Sequence, residues 1–183
     1  TFASGPAAAA NTPLKTPTAA SVPLLTPGLV PNYQTNNAEL IAILMALEQH
    51  RDGRATVNKD HVKNPKRTAF LNASSASDNS SPGVGRDSVY RDPWGNPYII
   101  TIDTNNDGKA RDALYRRRAV SDDENETNPK LGLYGLGSES GVGDDFELNA
   151  PVMVWSLGPD GMYDPNKRAN DGANKDNVLL WKQ

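Results

Sequence analysis

The sequence predicts an α+β fold, a helix packed on a small antiparallel β-sheet with long loops, and three observations carry that expectation. The strongest helical periodicity lies at residues 37–49, near the start of the chain. Every later apolar run is short and bounded by Gly, Pro, Asn or Asp, as strands between turns are. The helix precedes the strands instead of alternating with them, which disfavours parallel β-α-β units.

Residues 1–35 form a compositional block of their own. Six of the 14 prolines fall there (Pro6, Pro13, Pro17, Pro23, Pro27 and Pro31), and Lys15 is its one charged side chain. Proline at that density removes amide donors every few residues, so the block is expected to be extended and polyproline-like. Its run VPLLTPGLVP, residues 22–31, is apolar enough to lie along the surface of the domain formed by residues 36–183.

Asn36 is placed to cap the helix and Glu39 follows three residues later, as in a capping box. Leu40, Ile41, Ile43, Leu44 and Leu47 recur at helical spacing until Gly53 ends the pattern. A shorter helix is expected at 65–71, and the Ser-, Asn- and Gly-rich stretch 72–86 reads as a loop. Strands are expected at 97–103 (PYIITID), at 113–120 (ALYRRRAV, returning after the polar turn 103–108), at 152–157 (VMVWSL, the most apolar and hence central) and at 177–181 (NVLLW). Alternation along 113–120 places Arg116 and Arg118 on one face and Arg117 on the other.

Composition narrows the function. Of 183 residues, Lys and Arg number 19 and Asp and Glu 22, a near balance that argues against a nucleic-acid binder. Cysteine is absent, which removes disulfides, thiolate metal sites and cysteine nucleophiles together. The two histidines, His50 and His61, sit in polar stretches and read as solvated surface residues. No nucleophile, base and oxyanion set can be assembled from named residues, so no catalytic residue is assigned and an enzyme is not expected. No stretch reaches the roughly 20 apolar residues of a membrane helix.

Three segments, DPWGNPY at 92–98, WSLGPDG at 155–161 and KDNVLLW at 175–181, occur in that order. Together they resemble the periplasmic domain of the major pseudopilin of type II secretion systems, within the type IV pilin-like group, over residues 36–183. The resemblance implies a structural subunit of a pseudopilus or related filament on the periplasmic or extracellular side of a bacterial inner membrane. Its implied partners are other pseudopilin subunits and the secretion machinery. Family members begin with a prepilin cleavage site and a membrane-spanning helix, and this sequence contains neither, so the chain itself is expected to be monomeric and to make no membrane contact. The alternative is a secreted or surface binding module that reuses the same fold, with the Pro-rich block as spacer.

The family pattern SxGxDG…D…W also implies calcium. Transferred residue by residue, it points to the Leu157 carbonyl and to Asp160 and Asp176, with Asp164 and Asp171 as further carboxylates in a longer loop. Calcium takes six to eight oxygen ligands, which such a loop can supply. A rival candidate, DTNNDG at 103–108, matches the opening of an EF-hand loop but has Leu114 where the bidentate glutamate belongs. A β-hairpin turn explains the same letters. Trp94 and Trp155 are both expected in the core, Trp94 pushed inward onto the helix between Pro93 and Pro97.

Overall fold

The computed structural model describes residues 37–182; the Pro-rich block and Asn36 lie outside them. The first helix, α1 (Asn37–Leu44), is shorter than its apolar period suggests. It ends where Ala46 takes a left-handed φ of 57°. The Leu47 amide then reaches back to the Ala42 carbonyl at 2.8 Å and the Ala46 amide to Ile43 at 3.1 Å. These two bonds make a Schellman closure, usually built on glycine and here on alanine.

The reason for the early stop lies downstream. Asn64 donates to the Ile43 carbonyl at 3.0 Å, and the Phe70 and Leu71 amides both donate to Leu44. Thr56 and Asn58 take the Leu47 carbonyl at 2.9 and 3.3 Å. Residues 49–71 therefore serve as a cap on the carbonyl end of α1. The helix expected at 65–71 does not form, because its amides are committed to α1 and to the buried Asn64.

Strands β1 (Gly83–Val84) and β2 (Tyr90–Arg91) pair as a short antiparallel ribbon, and α1 packs on β2. Asn37 fixes that contact. Its amide donates to the Tyr90 and Tyr98 carbonyls, both at 2.9 Å, and its side-chain oxygen accepts from the Tyr90 amide at 3.1 Å.

A second sheet holds β3 (Ile99–Ile102), β6 (Val152–Ser156) and β7 (Val178–Leu179), with β6 central and both neighbours antiparallel to it. Ile99 faces Trp155 and Ile102 faces Val152, while Trp155 faces Leu179 on the other side. Three expected strands are thus present, with the most apolar one in the middle. Between them come α2 (Arg118–Ser121) and the two-residue strands β4 (Gly137–Ser138) and β5 (Phe146–Glu147), which pair with each other. The architecture is α+β with small antiparallel sheets.

The expected return strand at 113–120 is replaced by a turn and α2. Asp112 explains this: its Oδ1 accepts from the Leu114 and Tyr115 amides at 2.8 and 3.1 Å, and its carbonyl accepts from Arg116. An aspartate that captures the next amides nucleates a helical turn in place of a strand. The slot beside β3 goes to β6, so the turn at 103–108 does not close a hairpin. The three arginines accordingly do not alternate across a sheet. Arg116 donates to the Asp144 carbonyl and Arg117 to that of Pro165, while Arg118 binds Asp122 and the Gly141 carbonyl. Arg116 and Arg118 fasten the β4–β5 loop, and Arg117 the loop that follows β6.

The core gathers Leu114, Tyr115, Val120, Leu136, Phe146, Met153, Trp155 and Leu157, all nearly inaccessible to water. Tyr115 sits edge-on to both Trp155 and Trp181, with ring centroids 5.0 and 5.3 Å away. The buried α1 residues Ala38, Ile41 and Ala42 fall outside this cluster.

Candidate functional site

The three segments singled out in the sequence abut one another. In the first, Asp92 Oδ1 accepts from the Trp94 and Asn96 amides at 2.9 and 2.8 Å, bending 92–96 into a tight turn. Gly95, at φ 89°, lies so close to the Ser80 carbonyl that a Cβ there would sit 2.1 Å from its oxygen. This turn carries Trp94 outward: the residue is 50 % exposed, which corrects the core position expected for it. Asn96 then donates to the Gly158 carbonyl at 2.7 Å, joining the first segment to the second. Gly158, at φ 66°, joins the second to the third, because a Cβ on it would stand 2.1 Å from the Asp176 carbonyl oxygen. The two ends of the long loop between β6 and β7 therefore meet.

That loop is organised by Asn174, which is 1 % exposed. Its side chain accepts from the Asp164 amide at 2.9 Å and donates to the Asp164 and Lys167 carbonyls at 2.7 and 2.8 Å. The sequence offered no signal for this role, since Asn174 is one of several asparagines in a polar run.

The predicted ligands have different local duties. Asp160 is exposed and accepts from the Met162 amide at 2.8 Å. Asp164 accepts from the Asn166 amide at 2.8 Å. Asp171 caps the Gly172 amide at 2.7 Å and faces Lys167 at 3.6 Å. Leu157 is fully buried at the end of β6. Asp176 stands apart, because its Oδ1 is buried without a hydrogen-bond partner. Among the described residues, no group of three or more His, Cys, Asp or Glu side chains is placed to hold a metal.

A different set of atoms draws attention to the same three segments. Among the described residues, the buried side-chain polar atoms without a partner are Asp92 Oδ2, Ser156 Oγ, Asp176 Oδ1, Asn177 Oδ1, Trp181 Nε1 and His61 Nδ1. All but the last belong to the three abutting segments, and four of them are oxygens. Folded proteins rarely leave buried acceptors unmet, since each costs about 1–3 kcal/mol. Asn177 is oriented by Tyr115, whose hydroxyl accepts from its amide at 3.0 Å. Burial pushes the Tyr115 hydroxyl well above its ordinary pKa, so it stays neutral. Chemically, carboxylate, hydroxyl and amide oxygens suit a hard cation. That the oxygens of Asp92 and Ser156 lack partners has no signal in the sequence, because only burial reveals it.

The rival loop at 103–108 is satisfied internally. Asp103 accepts from the amides of Asn105, Asn106 and Gly108, and Asp107 accepts from Asn105 Nδ2 and the Lys109 amide. His50 is not solvated as expected: it is 5 % exposed, with Nδ1 2.9 Å from Ser88 Oγ and Nε2 3.3 Å from Glu39 Oε1. The letters are those of a hydrolytic triad, yet Ser88 is 1 % exposed, which leaves its hydroxyl no access to a substrate. His61 is half-buried and lies 3.4 Å from Glu48.

Among the described residues no helix is long and apolar enough to cross a membrane. The sheets define an α+β domain whose three abutting segments carry buried oxygens without hydrogen-bond partners. Comparison with known proteins gives no match: no family model, no curated protein and no solved structure is similar to this chain.

Proposed function

We propose that this chain is a structural subunit of a pilin-like filament, of the type II secretion pseudopilus kind, whose β6–β7 loop is held by calcium. The observation that supports this reading is the concentration of partnerless buried oxygens in the three abutting segments 92–98, 155–161 and 175–181. A family resemblance carried by those segments implies an ion in the β6–β7 loop, and the unmet acceptors are of the type such an ion satisfies. By that resemblance Asp176, Asp160 and the Leu157 carbonyl would hold it, and the partnerless Asp176 Oδ1 is the buried oxygen that such an ion would satisfy. When bound, the ion neutralises carboxylate charge and ties the loop ends together, and no reaction is assigned to it.

The remaining architecture suits a structural role. Long loops are fastened by arginines to backbone carbonyls, and the serine of the Ser88-His50-Glu39 arrangement is buried. The test has two arms. Expressed from its natural gene, a filament subunit co-sediments with filaments sheared from the cell envelope and cross-links into a ladder of multimers, on the periplasmic or extracellular side. Recovery only as a single soluble species in a complex with an unrelated ligand would favour the alternative, a secreted or surface binding module. Independently, calcium added to metal-free protein should raise its melting temperature, and elemental analysis should find the ion.

A further inference from the structure

Residues 51–67 hold six of the chain's 19 Lys and Arg residues but two of its 22 Asp and Glu. That segment is +4 in a chain of net −3, so the remaining residues carry −7. Two buried asparagines wind its second half into a rigid knob. Asn58 Oδ1 accepts from the Lys63 and Asn64 amides at 3.1 and 2.9 Å, closing one turn. Asn64 Oδ1 accepts from the Thr68 amide at 3.3 Å, closing the next. Both side-chain amides donate onward, to the carbonyls of Leu47 and Ile43, which fixes the knob to the end of α1. Asp60, His61 and Arg67 take left-handed φ of 55°, 56° and 53°, a backbone conformation that persists where surrounding bonds impose it.

Lys59, Lys63, Lys66 and Arg67 project from this knob and are exposed. Among the described residues, no carboxylate forms an ion pair with any of the four. Cations elsewhere are engaged: Lys109 and Arg111 on Glu147, Arg91 on Asp87, Arg118 on Asp122. Val62 and Phe70 stand out of the same knob at 63 % and 67 % exposure.

We propose that the knob at residues 58–70 docks on a membrane surface of anionic phospholipid. Charge complementarity selects that occupant. Headgroup phosphates meet four unpaired cations, and the net negative charge of the remaining residues disfavours any other orientation on the same surface. Val62 and Phe70 enter the boundary between headgroups and acyl chains, where an apolar side chain beside a cation is at its most favourable. A nucleic-acid duplex offers the cations phosphates but gives those two side chains no apolar phase to enter. The knob's hydrogen bonds hold it in place beforehand, so little ordering is needed on contact. This inference is independent of the calcium reading and of filament assembly.

The full chain is sedimented with vesicles of phosphatidylglycerol mixed with phosphatidylcholine, and with vesicles of phosphatidylcholine alone, over a range of salt. Binding to the anionic vesicles only is expected, weakening as salt rises, with each cation removed lowering affinity about fivefold. Lys63→Gln, Lys66→Gln and Arg67→Gln combined should therefore weaken it on the order of a hundredfold. Arg86→Gln, Lys130→Gln and Lys175→Gln combined remove the same charge from exposed positions outside the knob and should leave binding close to wild type. Phe70→Ser should weaken binding while leaving its salt dependence unchanged. Melting curves of each variant show that the fold is retained. Equal losses in the two triple variants overturn the proposal, as does equal binding to neutral vesicles or none to anionic ones. Binding to a DNA duplex as tight as to anionic vesicles at the same salt also overturns it.

Discussion

Trp155 donates its indole N–H to Asp112 Oδ2 at 3.1 Å, and both residues are 2 % exposed although 43 positions apart. The same carboxylate oxygen accepts from Thr101 Oγ1 at 2.9 Å, while the other takes the Leu114 and Tyr115 amides. One buried aspartate thus ties β3, β6 and the turn before α2 to one another. Asp112→Ala leaves those donors unmet and should destabilise by about 3 kcal/mol, with Asp112→Asn intermediate. Urea unfolding followed by tryptophan fluorescence measures both, and a midpoint for Asp112→Ala equal to wild type would remove Asp112 from this role.

The tryptophans separate two kinds of position. Trp155→Ala should cost about 3–5 kcal/mol, as truncation of a large core aromatic does. Trp94, half exposed at the tip of its turn, should tolerate alanine at a cost below about 1 kcal/mol. The same denaturation assay ranks them, and equal losses would contradict the outward placement of Trp94.

Ala46 closes α1 in a left-handed conformation that favours glycine. Ala46→Gly relieves that strain and should stabilise the protein by about 1 kcal/mol, read as a rise in melting temperature. A fall would mean that the alanine methyl packs more favourably than the backbone is strained.

Acid should loosen the β4–β5 loop. The Ser138 hydroxyl, followed by the Ser140 hydroxyl and amide, holds the Asp145 carboxyl down at about 2 against an ordinary 3.8. A carboxyl whose pKa is lower folded than unfolded adds stability that is fully present above about pH 4 and lost as pH falls towards 2. Hydrogen exchange at residues 138–145 should accelerate through that window. Ser138→Ala should weaken the dependence, and an unchanged profile would show that the hydroxyl does not set it.

If calcium is held at Asp176, saturation at 100 times the dissociation constant should add about 2.7 kcal/mol. Asp176→Asn should abolish that gain, and magnesium should replace calcium poorly because it keeps its waters. Melting curves indifferent to both chelator and Asp176→Asn would defeat the calcium proposal.

Local signals were legible in the sequence wherever they acted over a few residues. The apolar β-branched runs at 99–102 and 152–156 form β3 and β6, and the apolar period from 37 begins α1. The turn character of 92–96 and 103–108 follows from their Asp, Asn and Gly residues. Only the tertiary structure decided the rest. Whether β3 pairs with 113–120 or with 152–156 depends on where Asp112 sends its carboxylate, and short-range alternation does not record that. The early end of α1 depends on Asn64 and Phe70 arriving from beyond its sequence window. Likewise Ser156 and Asn177 look like ordinary polar residues until β6 and β7 pair and bury them. Periodicity reports what a residue prefers locally, whereas burial and unmet hydrogen bonds exist only after distant segments have met.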